Sequence, residues 1–244
     1  MHRSAPRLTR ILACAAVPVM LVVAGCSSDS GSDSDKKTSS DSSSSSSGSS
    51  TSPQAKKSPS VAPAKLVKLP DPCKSISSDT VKDLVPESKA GSSGKSSDTA
   101  SRGSCSWNGL DDNGVKGSQY RWLDVSFLRY DSEEALGLSG EQRADQNYAK
   151  EVAKAKATEK AKNVKSSSVP GVGTVATVVN YELTKTDEDF TYATIVTRTE
   201  NAVVTLTYNG TGYAGAKSPS AEDLTKDAVK AAKEAVASVA SANK

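Results

Sequence analysis

Hydrophobic positions in this chain fall into three regimes. An apolar run from Ile11 to Val23 stands near the N-terminus behind Arg3, Arg7 and Arg10. From Ser27 to Ser60 no Leu, Ile, Val or aromatic residue occurs, and 18 of 34 positions are serine. Beyond Leu66 apolar residues return at helical and strand spacings, which predicts one folded domain of about 180 residues over 66–244.

Within that domain Ser77 or Ser78 caps a short helix to about Val85, with Val81, Leu84 and Val85 on one face and Pro86 as its stop. A Gly/Ser loop over 90–103 leads to a strand at Cys105–Asn108. The turn Asp111-Asp112-Asn113-Gly114 then joins it to a strand at Tyr120–Tyr130, as a hairpin. Period-two alternation sends Leu123, Val125 and Phe127 to one side of that strand and Tyr120, Trp122, Leu128 and Tyr130 to the other. The Ala/Lys/Glu-rich stretch Glu141–Asn163 reads as an amphipathic helix with a narrow stripe of Ala144, Tyr148, Val152 and Ala155. After Val169-Pro170-Gly171-Val172-Gly173 come strands at 174–184, 190–199 and 202–208, joined by polar turns into an antiparallel meander. A helix over 221–240 closes the chain. The predicted class is α+β: an antiparallel sheet of a hairpin plus a three-stranded meander, packed by N-terminal, central and C-terminal helices.

The N-terminal run is too short to span a bilayer and has the charged, apolar and small-residue order of a secretory signal. Its end, Val23-Ala24-Gly25-Cys26, resembles the lipobox of bacterial lipoproteins. That resemblance implies cleavage after Gly25 and lipid on Cys26, which holds the protein at the extracytoplasmic face of the cell membrane. Two or more acyl chains are what stable anchoring needs. The segment 26–65 lacks the apolar content to offset chain entropy and is expected to be a disordered tether, with a random-coil reach of roughly 35 Å.

Removing residues 1–25 also changes the charge. The chain carries 31 Lys+Arg and 28 Asp+Glu, and three of the arginines lie in the signal, which leaves 28 of each sign. A balanced chain lacks the clustered basic excess that nucleic-acid binding requires. The one histidine, His2, departs with the signal, and imidazole-dependent triads, Cys–His pairs and His-containing zinc sites depart with it. No cofactor motif stands in the remainder.

Of four cysteines, Cys14 lies in the signal and Cys26 takes the lipid, so Cys73 and Cys105 remain to pair outside the cytosol. The loop of about 33 residues that they close is worth ~3.7 kcal/mol on the chain-entropy estimate. No C-x-x-C spacing marks them as redox-active.

Asp71-Pro72-Cys73, Cys105-Ser106-Trp107, Pro170-Gly171-Val172-Gly173 and the closing helix together resemble a family of actinobacterial secreted lipoproteins of unknown function, over most of residues 69–240. The resemblance implies a Cys73–Cys105 disulfide beside Trp107 and no established activity. More remotely, the element order is similar to extracellular sensor domains of mycobacterial receptor kinases, without the kinase or transmembrane helix.

Several strings invite a chemical reading. Gly91-Ser92-Ser93-Gly94-Lys95-Ser96 suggests a phosphate loop, but the first glycine would fall at Lys89 and no strand precedes it. Ser92 and Lys95 have the S-x-x-K spacing of serine acyl-enzymes without the companion motifs. Asp111-Asp112 and Asp187-Glu188-Asp189 could ligate Ca²⁺, yet both fall at expected turns and lack the spaced calcium loop. Lys150, Lys154, Lys156, Lys160, Lys162 and Lys165 give one helix a basic face, which Glu151 and Glu159 partly offset. Tyr120, Trp122 and Tyr130 share one strand face and form the candidate binding surface, since amphipathic rings are common in recognition patches.

These readings converge on a non-catalytic, lipid-anchored binding or interaction module in the envelope. Its partner would be an envelope protein, a wall polymer or an apolar ligand. The first alternative is a small carrier of a lipid or other apolar ligand held between sheet and helices, for which a cavity lined by Trp122, Val125 or Phe127 is expected. The second is a hydrolase working with carboxylates or Ser/Lys.

Overall fold

The computed structural model describes residues 60–244. The signal segment, Cys26 and nearly all of the Ser-rich segment lie outside the described residues. Helices α1 (Ser78–Leu84), α2 (Gly140–Lys156) and α3 (Ala221–Ser241) accompany strands β1 (Ser92–Ser93), β2 (Arg102–Asp112), β3 (Ser118–Arg129), β4 (Lys162–Ser168), β5 (Val175–Lys185), β6 (Glu188–Thr199) and β7 (Ala202–Tyr213). The strands form one seven-stranded antiparallel sheet in the order β1-β2-β3-β7-β6-β5-β4. The class is α+β.

One face of the sheet carries the main core. Leu123, Val125 and Phe127 of β3 join Ala193 and Ile195 of β6, Val204, Leu206 and Tyr208 of β7, and the buried face of α3. That helix face is small: Ala228, Ala231, Ala232 and Ala235 lie between Leu224 and Val239. Alanines let the helix axis approach the sheet closely, and the branched strand residues fill the space between them. Short α1 completes this layer. Ser77 caps it, Glu234 of α3 accepts from Ser77 N at 2.7 Å and from Thr80 Oγ1 at 2.6 Å, and the Tyr208 hydroxyl donates to the Leu84 carbonyl at 2.5 Å.

Cys73, in a 3-10 turn at Pro72–Lys74, forms a disulfide with Cys105 of β2. Trp107 packs in the same cluster, and Gly91 passes so close that an added Cβ would lie 2.5 Å from Cys105 Sγ and 2.6 Å from Trp107 Nε1. The first glycine of the phosphate-loop-like string is thus a packing requirement. Its two serines, Ser92 and Ser93, pair with Ser106 and Cys105 as the edge strand β1 inside the expected loop.

The central helix is shorter than its composition suggests. Residues Glu141–Asn163 read as one Ala/Lys-rich helix, but α2 ends at Lys156 and 162–168 pairs with β5 as the outer strand β4. Lys160 and Asn163 adopt positive φ at the change of direction. Every residue of β4 is exposed, so backbone pairing to an open sheet edge, rather than apolar burial, draws this segment out of the helix. The basic run is divided accordingly: Lys150, Lys154 and Lys156 ride on α2, while Lys162 and Lys165 lie on the edge strand, where lysine discourages further strand addition.

The domain begins before the composition boundary at residue 66. The Ser132 hydroxyl donates to the Ala62 carbonyl at 2.6 Å, and Lys65 pairs with Glu200 at 2.6 Å.

Candidate functional site

The second sheet face is covered at one end only. A capping box formed by Ser139 and Gln142 starts α2, and Ala144, Tyr148 and Val152 then lie over Val196 and Val203. Tyr148 shares a hydrogen bond of 2.7 Å with Thr177 of β5, and Arg198 of β6 pairs with Glu141 and Asp145. Beyond that end only Ala155 of α2 and Ala161 reach the face, against Val179, Tyr181, Phe190 and Tyr192, and the part over Tyr120, Trp122 and Tyr213 is open.

Strand register sets out the open end in two rows. The first runs Asn108–Trp122–Asn209–Tyr192–Tyr181 across β2, β3, β7, β6 and β5, each residue directly opposite the next. The second, two residues along each strand, runs Ser106–Asp124–Thr207–Thr194–Val179. Residues two apart on a strand share a face at a spacing of about 7 Å. An aromatic and amide row therefore lies beside a hydroxyl and carboxylate row.

The aromatic end forms a depression of about 790 Å³, with walls that include Tyr120, Trp122, Phe190 and Tyr213. That volume lies in the usual range of small-molecule sites. Tyr181 and Tyr192 stack with centroids 4.8 Å apart, and Tyr120 meets Phe190 edge to face at 5.9 Å. Lys185 extends from the β5–β6 turn over the rings of Tyr192 and Phe190, at 5.3 and 5.9 Å from their centroids. Phe190, Tyr181 and Tyr192 are buried, while Tyr120, Trp122 and Tyr213 keep part of their surface free. The chain has 11 aromatic residues, 7 Tyr, 2 Phe and 2 Trp. Six of them lie at this one depression.

Polar groups at the site are held lightly. Thr194 and Thr207 share a hydroxyl–hydroxyl hydrogen bond of 3.2 Å, and the Tyr181 hydroxyl lies 3.5 Å from Thr194 Oγ1. Asp124 is half-buried, and burial alone pushes its carboxyl up to about 6. Burial also raises the Tyr120 hydroxyl, with Tyr213 and Tyr192 adding to the effect.

Of the three ring residues read from the β3 pattern, Tyr120 and Trp122 meet at this depression and Tyr130 does not. Tyr130 lies at the α2 end, where Arg143 approaches its ring at 5.9 Å. Equal parity placed all three on one face, but α2 covers only part of it. Tyr181, Phe190, Tyr192, Asn209 and Tyr213 were not singled out in the sequence. Their alternation was readable strand by strand; the non-consecutive β3–β7 pairing that brings them beside Trp122 was not.

The other strings serve turns and packing. Asp112 accepts from Gly114 N at 2.9 Å and from the Ser118 hydroxyl at 2.9 Å, which holds its carboxyl below the usual range. Asp189 accepts from the Thr184 hydroxyl at 2.6 Å beside the β5–β6 turn, where Thr186 and Asp187 have positive φ. Among the described residues no three or more His, Cys, Asp or Glu converge as metal ligands, and no helix is long and apolar enough to cross a membrane. Of the three residues expected to line a cavity, Trp122 lines the aromatic depression, while Val125 and Phe127 belong to the main core on the opposite face.

No family model matches the chain, and neither a curated protein nor a solved structure matches it.

Proposed function

We propose that this protein is an extracytoplasmic binding module, anchored to the membrane by lipid on Cys26 and carried clear of it by the Ser-rich segment, which engages a partner through the open aromatic end of its sheet. One observation carries the reading: six of eleven aromatic residues gather around one depression at the end of the sheet that α2 reaches only through Ala155. Burying rings in the core is the ordinary use of a scarce aromatic complement. Here half-exposed Tyr120, Trp122 and Tyr213 surround a depression instead, as in recognition patches.

Sedimentation with isolated envelopes of the producing cell tests this reading. The exported full chain carrying Cys26→Ser is expected to co-sediment, and the double variant Tyr120→Ala/Trp122→Ala to remain in the supernatant with an unchanged circular dichroism spectrum. Equal sedimentation of both proteins overturns the reading.

A second groove supports the carrier alternative. A space of about 590 Å³ between α1 and residues 88–91 is walled by Ile76, Val81 and Trp107, with Lys74, Lys82 and Lys89 at its margin. An apolar ligand with an anionic head would suit it. Native mass spectrometry of the same exported chain decides: an apolar mass that survives desalting selects the carrier, and a bare protein mass, two hydrogens light for the disulfide, removes it.

A further inference from the structure

The open face combines features that select among ligand classes, and the inference drawn from them rests on the binding-face reading above. Trp122 offers a half-exposed ring as a flat apolar platform. Its cross-strand neighbours Asn108 and Asn209 are amides, and each amide can donate and accept. Two residues along β3, Asp124 lies between Ser106 and Thr207, whose side chains are hydroxyls. Its carboxylate has neither a charged partner nor a hydrogen-bond donor among the described residues; burial alone acts on it.

A wholly apolar ligand fits poorly. Covering the half-buried Asp124 with hydrocarbon would strip water from a charged group without replacing its hydrogen bonds, which is costly. An anion on Trp122 would meet Asp124 two residues along β3, while the one ammonium among the residues lining the depression, Lys185, lies over Tyr192 and Phe190. A cation would find the faces of Tyr192 and Phe190 already shared with the ammonium of Lys185. A neutral polyhydroxylated ligand meets none of these objections. The C–H face of a sugar ring is apolar enough to stack on an indole, while its rim of hydroxyls donates to a carboxylate and exchanges hydrogen bonds with amides and threonines.

We infer that the open sheet face binds a neutral saccharide, stacked on Trp122 with its hydroxyls received by Asp124 and Asn209. The raised carboxyl of Asp124 belongs with this arrangement, since a carboxylate lacking partners in the free protein gains them from the ligand, and hydrogen bonds to a charged acceptor are the stronger kind.

The test is an NMR titration of the ¹⁵N-labelled full chain, exported with Cys26→Ser. The probes are a panel of neutral trisaccharides and the neutral polysaccharide fraction hydrolysed from the producing cell's envelope, taken to about 10 mM to reach weak millimolar sites. A saccharide is expected to shift the Trp122 indole N–H and the Asn209 side-chain amide saturably. Trp122→Ala should abolish the response, and Asp124→Asn should weaken binding at least tenfold with the rest of the spectrum unchanged. The inference is overturned if no saccharide shifts these resonances, if the shifts survive Trp122→Ala, or if tetramethylammonium chloride shifts them and saccharides do not. Envelope sedimentation separates the two levels: a positive result there with a negative titration removes the saccharide and keeps the face, and failure of both removes both.

Discussion

Trp122 of β3 and Asn209 of β7 are direct cross-strand partners, and they join two segments 87 residues apart in sequence into one row of the open sheet face. The amide is 3% exposed and the indole is half-buried beside it. This asymmetry separates the protein's two tryptophans. Trp107, 5% exposed in the main core, should cost about 3–5 kcal/mol on truncation to alanine. Trp122→Ala should cost only about 1 kcal/mol, since less of its surface leaves water on folding. Urea unfolding of the two variants checks the contrast, and equal losses would mean that Trp122 is a core residue.

Asp124 makes stability depend on pH in a particular direction. Its carboxyl, ordinarily near 3.8, is raised to about 6 in the folded chain, so the native state holds this proton more tightly than the unfolded state does. Stability from this group is therefore greatest below about 4, falls as pH rises toward 6, and is flat above that. Asp124→Asn should raise Tm at pH 7 and remove this part of the slope. A Tm that falls at pH 7 would show that the carboxylate has a stabilising partner after all.

The buried amide of Asn201 clips the start of the domain to the sheet. It accepts from Leu66 N at 2.7 Å and donates to the carbonyls of Leu66 at 2.9 Å and Tyr130 at 2.8 Å. Truncation leaves three backbone groups in a buried place without partners. Each such group costs about 1–3 kcal/mol when unsatisfied. With partial access of water, Asn201→Ala should lose about 3 kcal/mol, and Asn201→Asp, which retains the acceptor alone, should lose a comparable amount. Hydrogen exchange at the Leu66 amide should accelerate in the alanine variant.

The Cys73–Cys105 disulfide holds the 3-10 turn and the α1 region to β2. Cys73→Ser/Cys105→Ser should lower stability by about 3–4 kcal/mol through the restored freedom of the unfolded chain. Chemical denaturation checks the size, and a loss under 1 kcal/mol would mean that the surrounding packing alone holds that turn.

Cys26→Ser tests the anchor. In the Tyr120→Ala/Trp122→Ala background, which removes the envelope contact proposed above, the chain that keeps Cys26 should remain with the membrane fraction and the Cys26→Ser chain should appear in the medium, as expected when acyl chains rather than a spanning helix provide attachment. Equal distribution of the two proteins would overturn lipidation.

Much of this architecture was legible from local pattern. The α+β class follows from period-two runs flanked by capped, 3.6-periodic segments, and the two cysteines left for the folded domain sufficed to anticipate their pairing. Of the two caps offered for the first helix, Ser77 and Ser78, Ser77 marks its start, because a hydroxyl before an amphipathic run satisfies free amide N–H groups, a purely local need. Local pattern also misled. The helix read over Glu141–Asn163 runs past the end of α2 at Lys156, and 164–168 carried no assignment, but an unpaired edge of β5 was there to receive Lys162–Ser168 as a strand.

What the sequence by itself determined is what neighbouring residues decide among themselves: the elements other than the edge strands β1 and β4, their inward and outward faces, and the parity that puts Tyr120, Trp122 and Tyr130 on one side of β3. Tertiary structure alone decided which of those outward faces stayed uncovered. The placement of α2 packs Tyr130 beside Ala144, Tyr148 and Val152 and leaves Trp122 outside that cluster. The pairing of β3 with β7, across more than 70 residues of intervening chain, brings Asn209, Tyr192 and Tyr181 into line with it. Backbone hydrogen bonds between strands are chemically alike for every partner, so the choice among strands is made by how the whole core packs, and the site is a consequence of that choice.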